Sequence, residues 1–255
     1  MSFYSDYVLS LSPDAYWRMD DASGNPQDLS GNARHMTSAV NLHYHESSPL
    51  WDGGDLSSYS MRGDGDGWSG QVSATWINPN YNEDFWGCFW FWGNYTTASY
   101  YNMLFTKCSS PDTVFPFAVF LMPYGYPRFS KGDGSHFPAV QQNTNYADSQ
   151  WHFLAFKKYG SEWGMKLDTN SALTTTDTTT TTTTNARDLR THVQYDGNFF
   201  VGYMTEIVYK KGSMSGWEPF NNLYGLGKGY FTPSHKDIRR PTSCITSYHL
   251  PKIAQ

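Results

Sequence analysis

Residues 85 to 92 read FWGCFWFW, a run with no charged side chain, bounded by Asp84 and Gly93. Aromatic residues favour extended chain, and a strand that is apolar on both sides must be covered on both sides. The run therefore predicts a strand deep inside a two-layer sandwich, and it limits the fold to those with room for such a strand.

Other segments carry strand signals of the ordinary kind. Ala15-Tyr16-Trp17-Arg18-Met19 alternates with period two and gives way to turn formers at Asp21, Ser23, Gly24, Asn25 and Pro26. A second polar cluster, Asp28-Leu29-Ser30-Gly31-Asn32, follows. Strands are expected at 59–62, 102–107 and 114–122, with Pro116 placing the last at an edge or bulge. Tyr126-Pro127-Arg128-Phe129 would close a hairpin, and 151–158 and 162–168 would form another around Tyr159-Gly160. Residues 1–12 read as a lead-in, with Tyr7-Val8-Leu9 able to pair with a strand elsewhere. Positions 174 to 184 hold ten threonines broken by Asp177, a composition that suits either a hairpin or sheet edge, or a flexible loop.

Three of these segments resemble the laminin G-like domain of the concanavalin A-like superfamily. They are the Ala-Tyr-Trp strand with its Asp-x-Ser-Gly-Asn loop, the Trp151-His152 hairpin, and 198–211 with Gly202, Glu206 and Tyr209 in place, closed by Leu223-Tyr224-Gly225. The 85–93 run is similar to the family's central Phe-x-x-Ser-x-Trp strand, with Cys88 in the small position and Trp90 as its Trp. Thr205 stands where that family has Asp, and Leu167-Asp168-Thr169-Asn170 replaces its Val-Asp-Gly turn. The resemblance implies an all-β, two-sheet antiparallel jelly-roll sandwich over residues 1–225, with 226–255 as a C-terminal arm. Because such domains are frequent in bacteriophage structural proteins, it also implies a virion component, in capsid decoration or a head or tail fibre, made in the host cytoplasm. Its partners would then be other virion subunits and further copies of itself. The alternative is a carbohydrate-binding lectin module or receptor-binding protein meeting a cell-surface glycan.

Charge excludes some roles. Charged residues make up 16% of the chain against 18% aromatic, and the formal net charge is -5. A nucleic-acid-binding face needs a positive balance, so none is expected. No run approaches 18 apolar residues, and MSFYSDYVLS has no basic region before an apolar core, so neither a transmembrane helix nor a Sec signal is expected. Residues 226–255 carry five basic residues against Asp237, a balance of +4 that leaves -9 on the rest. Lys228, Lys236, Arg239 and Arg240 are therefore candidate contacts to a neighbouring subunit, unless the arm straps over its own domain.

Chemistry has few candidates. A retaining glycosidase needs two carboxyl groups roughly 5 Å apart. Of the five glutamates no two lie within ten residues, and Met204 and Val208 flank Glu206, so no catalytic residue is assigned. His43-x-His45 lacks a third ligand at a diagnostic spacing and reads as a surface loop. Gly63-Asp64-Gly65-Asp66-Gly67 invites calcium, but Thr75 stands where an EF-hand needs Glu, so a tight turn is preferred and no cofactor is assigned. Cys88, Cys108 and Cys244 read as buried free thiols. Trp68, Tyr124, Tyr126 and Trp163 lie near turn residues, where exposed rings can stack on sugar C–H groups, and are the candidate glycan contacts.

Overall fold

The computed structural model describes residues 3–47, 59–64, 68–71, 75–94, 101–108, 112–192 and 200–228 of the chain. The strands are β1 (Ala15–Trp17), β2 (Ser38–Val40), β3 (His43–Ser47), β4 (Tyr59–Asp64), β5 (Trp68–Gln71), β6 (Phe85–Gly93), β7 (Asn102–Thr106) and β8 (Val114–Met122). They continue as β9 (Tyr126–Asp133), β10 (Ala139–Gln141), β11 (Trp151–Tyr159), β12 (Glu162–Leu167), β13 (Leu173–Thr176), β14 (Leu189–Thr191) and β15 (Val201–Lys211). Two helices complete the fold, α1 (Phe3–Ser10) and α2 (Glu218–Gly227).

All the strand pairings are antiparallel, in two stacked sheets. One runs β13-β12-β11-β6-β15-β4-β3, with β1 also on β15; the other runs β10-β9-β8-β7-β14-β5-β2. This is the expected two-sheet sandwich. Between the sheets lie Phe85, Phe89, Phe91, Phe105, Phe117, Phe129, Phe156 and Tyr209, which meet as tilted, stacked and edge-on pairs. Strand β6 sits centrally in the first sheet, and its other face, Trp86, Cys88 and Trp90, packs under α1 and α2 beside Trp151, Phe153 and Val208. The run is apolar on both sides because one side meets a sheet and the other meets helices.

Helix α1 replaces the strand segment expected at 7–9. Tyr4 and Val8, four residues apart, bury one face against the outside of the sheet, and Tyr4 accepts a hydrogen bond from Trp90 Nε1 at 3.2 Å. Residues 43–47, expected as a loop, form β3 at the edge of the same sheet, where His43 and Glu46 approach within 4.0 Å. Gly65, Asp66 and Gly67 of the suspected calcium turn lie outside the described residues. Cys88 is buried and Cys108 half-buried, both as free thiols, while Cys244 lies outside the described residues.

The opening segment is a hydrogen-bonded clamp. Asp28 Oδ1 accepts from the backbone N–H of Tyr16 at 2.9 Å and of Ser30 at 2.8 Å, while Oδ2 accepts from Ser30 Oγ and Arg34 N–H. Trp17 Nε1 reaches Arg34 O at 2.9 Å. A bulge in β15 between Thr205 and Val208 puts Glu206 at φ 55°, where the strand alongside changes from β4 to β1. The Glu206 carboxylate is fully buried, receives the Tyr16 hydroxyl hydrogen bond, and lies 3.4 Å from Arg18 Nε.

The threonine tract divides in two. Thr174, Thr175 and Thr176 belong to edge strand β13, and the remainder crosses from one sheet to the other as a fixed strap. Asp133 Oδ2 accepts from Thr180 N–H at 2.8 Å, Thr183 N–H donates to Asn80 Oδ1, and Asn185 exchanges bonds with Asn78. Burial would raise the Asp133 carboxyl, but bonds from Thr180, Ser135 and His136 outweigh it and hold the group well below the usual carboxylate range.

Candidate functional site

The two outer faces of the sandwich differ. Helices cover the eight-stranded sheet, whereas no described helix covers the seven-stranded one. On β8, Phe117, Val119 and Leu121 point into the core, so Ala118, Phe120 and Met122 point outward, where they meet Met103 and Phe115. On β9, Phe129 points inward, and Arg128 and Ser130 take the outer positions. Between these rows lies a groove of about 260 Å³ lined by Tyr101, Phe115, Phe120, Met122, Arg128, Ser130 and Phe137.

Its walls are ring edges and faces. Tyr101 stands edge-on to Phe120 with centroids 5.6 Å apart, and Tyr101 and Phe137 keep 45% and 48% of their surface exposed. Among the lining residues Arg128 alone is charged, and its Nε is buried without a hydrogen-bond partner among the described residues. The described lining thus pairs apolar rings with one planar cation that no described residue engages, an arrangement suited to binding.

Three of the four expected glycan contacts belong to this sheet. Tyr124 and Tyr126 flank the β8–β9 turn with ring centroids 6.2 Å apart, and Tyr126 pairs with the groove residue Met122. Tyr124 is 58% exposed at φ 67°, a left-handed conformation that is strained for a non-glycine residue. Trp68, in β5 of the same sheet, pairs through its backbone with Val40 of β2, and its side chain lies outside the described residues.

Trp163 is a correction. It belongs to β12 in the other sheet, is 0% exposed, stacks on Phe129 at 3.8 Å and donates from Nε1 to Phe129 O at 3.1 Å. A one-residue shift of register decides which face of a hairpin a side chain takes, and here the register favours the core. Of the expected subunit contacts, Lys228 is engaged within its own chain, with Nζ 3.4 Å from Trp151 O and over the Trp90 ring. Lys236, Arg239 and Arg240 lie outside the described residues.

Other titratable groups are occupied structurally. His152 offers Nδ1 to Asp168 at 2.7 Å and Nε2 to Asp148 at 3.0 Å, which leaves neither ring nitrogen for a substrate. Burial would push this imidazole down, yet the bonds to Asp168 and then Asp148 outweigh it and raise the pKa above its ordinary value. Among the described residues no cluster of three or more His, Cys, Asp and Glu side chains could hold a metal ion.

None of the residues that line the groove was among the glycan contacts expected from the sequence. A usable signal existed in β8, where Phe-Ala-Val-Phe-Leu-Met is apolar at outward as well as inward positions and Arg128 follows on the next strand.

No protein-family model matches the chain, and no curated protein matches it. Solved structures do. The binding domain of Paraclostridial Mosquitocidal Protein 1 superposes with a TM-score of 0.66 at 11% identity, over 88% of this chain and 53% of that one. The Botulinum neurotoxin serotype G binding domain gives 0.62 at 9% identity, over 84% and 51%. Domain 4 of AbnA, a GH43 extracellular arabinanase from Geobacillus stearothermophilus solved with arabinotriose, gives 0.56 at 14% identity, over 84% and 98%. The chain spans about half the length of the two toxin binding domains and nearly all of the arabinanase domain. What it shares with them is the antiparallel two-sheet sandwich.

Proposed function

We propose that this chain is a non-catalytic recognition module that binds a cell-surface glycan on the open face of its seven-stranded sheet. The observation that carries the reading is the groove itself, where Tyr101, Phe120 and Phe137 surround a cation that no described residue engages, on a face that no described helix covers. Aromatic rings offer sugar C–H groups an apolar surface, and a few polar groups fix orientation. The shared sandwich with two toxin binding domains and a domain solved with arabinotriose supports the assignment at the level of fold. Glu206, the glutamate nearest a family motif, is buried and bonded to Tyr16, out of reach of any substrate.

A glycan array probed with the whole chain tests this. Binding is expected, and Tyr101→Ala and Phe137→Ala should each weaken it by about tenfold, equivalent to roughly 1.4 kcal/mol, with little change in Tm because nearly half of each residue is exposed. Absence of binding to any glycan, or indifference to both substitutions, would remove the proposal.

A second reading, in which the chain is a component of a virus particle, rests on the laminin G-like resemblance and on edge strand β13. Its Thr174, Thr175 and Thr176 are exposed and its outer edge pairs with no described strand, a template for pairing with another subunit. The two readings are compatible, since an adhesion module of a particle needs both a binding face and a docking edge. Immunogold labelling of purified particles tests the location, and labelling confined to the soluble fraction would remove it.

A further inference from the structure

We infer that the sugar taken by this groove carries a carboxylate, and that Arg128 is the residue that reads it. The inference rests on the glycan reading of the groove and names its ligand class. Arg128 is the starting point. Its guanidinium is always charged, and the described residues supply it with neither an ion pair nor a hydrogen bond, although Nε is buried. A buried donor left unmade is costly, and where Arg34, Arg62 and Arg190 also bury a guanidinium nitrogen without a hydrogen bond, each has a carboxylate close by: Asp14 at 3.2 Å, Glu46 at 4.0 Å and Asp188 at 3.1 Å. Arg128 is thus the one described arginine without a described carboxylate partner.

The surroundings set the sign of the missing partner. Tyr101, Phe115, Phe120, Met122 and Phe137 are uncharged, and Ser130, two residues along the same face, adds a hydroxyl. No described acidic residue lines the groove, although the chain as a whole carries a net charge of -5. A cation with no local anion, on a chain with excess negative charge, is complementary to an anionic ligand and repels a second cation. A carboxylate presents two oxygens in a plane, which matches Nε and a neighbouring Nη of the fork. At about 260 Å³ the groove is below the usual range for drug-sized ligands, so it suits one acidic ring, with the rest of the saccharide lying along the open sheet.

The test uses the full chain and four sets of oligosaccharides in calorimetry: neutral, carboxylated, the same carboxylated set after chemical reduction of the acid to an alcohol, and sulfated. The carboxylated set should bind best, and reduction should cost tenfold or more. Arg128→Gln should cause a similar loss with the carboxylated set and almost none with the reduced one, because the two changes remove the same interaction. Arg128→Lys should recover only part of the loss, since an ammonium cannot make the planar fork. If Arg128→Gln fails to fold, the reduced-ligand comparison decides alone. Equal binding of neutral and carboxylated sugars with no effect of Arg128→Gln would overturn the carboxylate assignment and leave the glycan reading standing. A preference for sulfated sugars would likewise overturn it. Failure of every set to bind would overturn both.

Discussion

Replacing Trp163 separates a core residue from a ligand contact. Its indole lies at 3.8 Å and 12° on Phe129, meets Phe85 edge-on at 5.7 Å, and has the Lys131 ammonium 5.2 Å from its ring. Truncating a buried aromatic to alanine costs about 3–5 kcal/mol. Trp163→Ala also removes the 3.1 Å bond to Phe129 O, worth about 1 kcal/mol and part of that total. It further exposes Lys131, which burial already lowers to about 8 and which holds Asp177 at 2.5 Å. The expected loss is thus about 4 kcal/mol, a large part of the roughly 5–15 kcal/mol that holds a domain together. For a chain of this length it corresponds to a fall in Tm of roughly 8–16 °C. Trp163→Phe keeps a ring in the stack and should lose about half as much. Urea unfolding with a fixed slope gives the numbers. If Trp163→Ala cost under about 1 kcal/mol while glycan affinity fell tenfold or more, the ring would be ligand surface and the packing account would be wrong.

Two further substitutions test the buried polar groups. The pKa of His152 is raised in the folded state, so its ion pairs contribute fully below the unfolded value of about 6.5 and fade as pH rises through the folded value. The stability difference between wild type and His152→Gln, measured by urea unfolding, should therefore be largest in mild acid and shrink as pH rises; a difference that grew with pH would reverse the assignment. Tyr16→Phe withdraws the hydroxyl from the buried Glu206 carboxylate and should cost about 2 kcal/mol, and a double-mutant cycle with Glu206→Gln should show coupling of at least about 1 kcal/mol. Additive losses would mean that the two side chains do not share a bond.

Elements with local causes could be read directly from the chain. The Asp28 clamp, the two-residue turn at Gly160 and the bulge at Pro116 each depend on residues adjacent in sequence, and each stands where turn chemistry puts it. Helix α1 was missed because eight residues rich in aromatics carry a strand-like propensity, and only packing against α2 and the covered sheet face makes them helical. The strap over 177–185 was half legible: threonine suggests extended chain, but its anchors at Asn78, Asn80 and Asp133 lie between about 47 and 107 positions away. The groove was the least legible part. It draws on residues from 101 to 137, and which sheet stays uncovered depends on where two short helices come to rest.

That division of faces gives the molecule a front and a back. Phe3 on α1 and Lys228 just after α2 are both carried on the helical side, behind the eight-stranded sheet, with the width of the sandwich between them and the groove. A solid support coupled through the helical side would hold the domain from the rear, so Arg128 and its ring of aromatics would face outward.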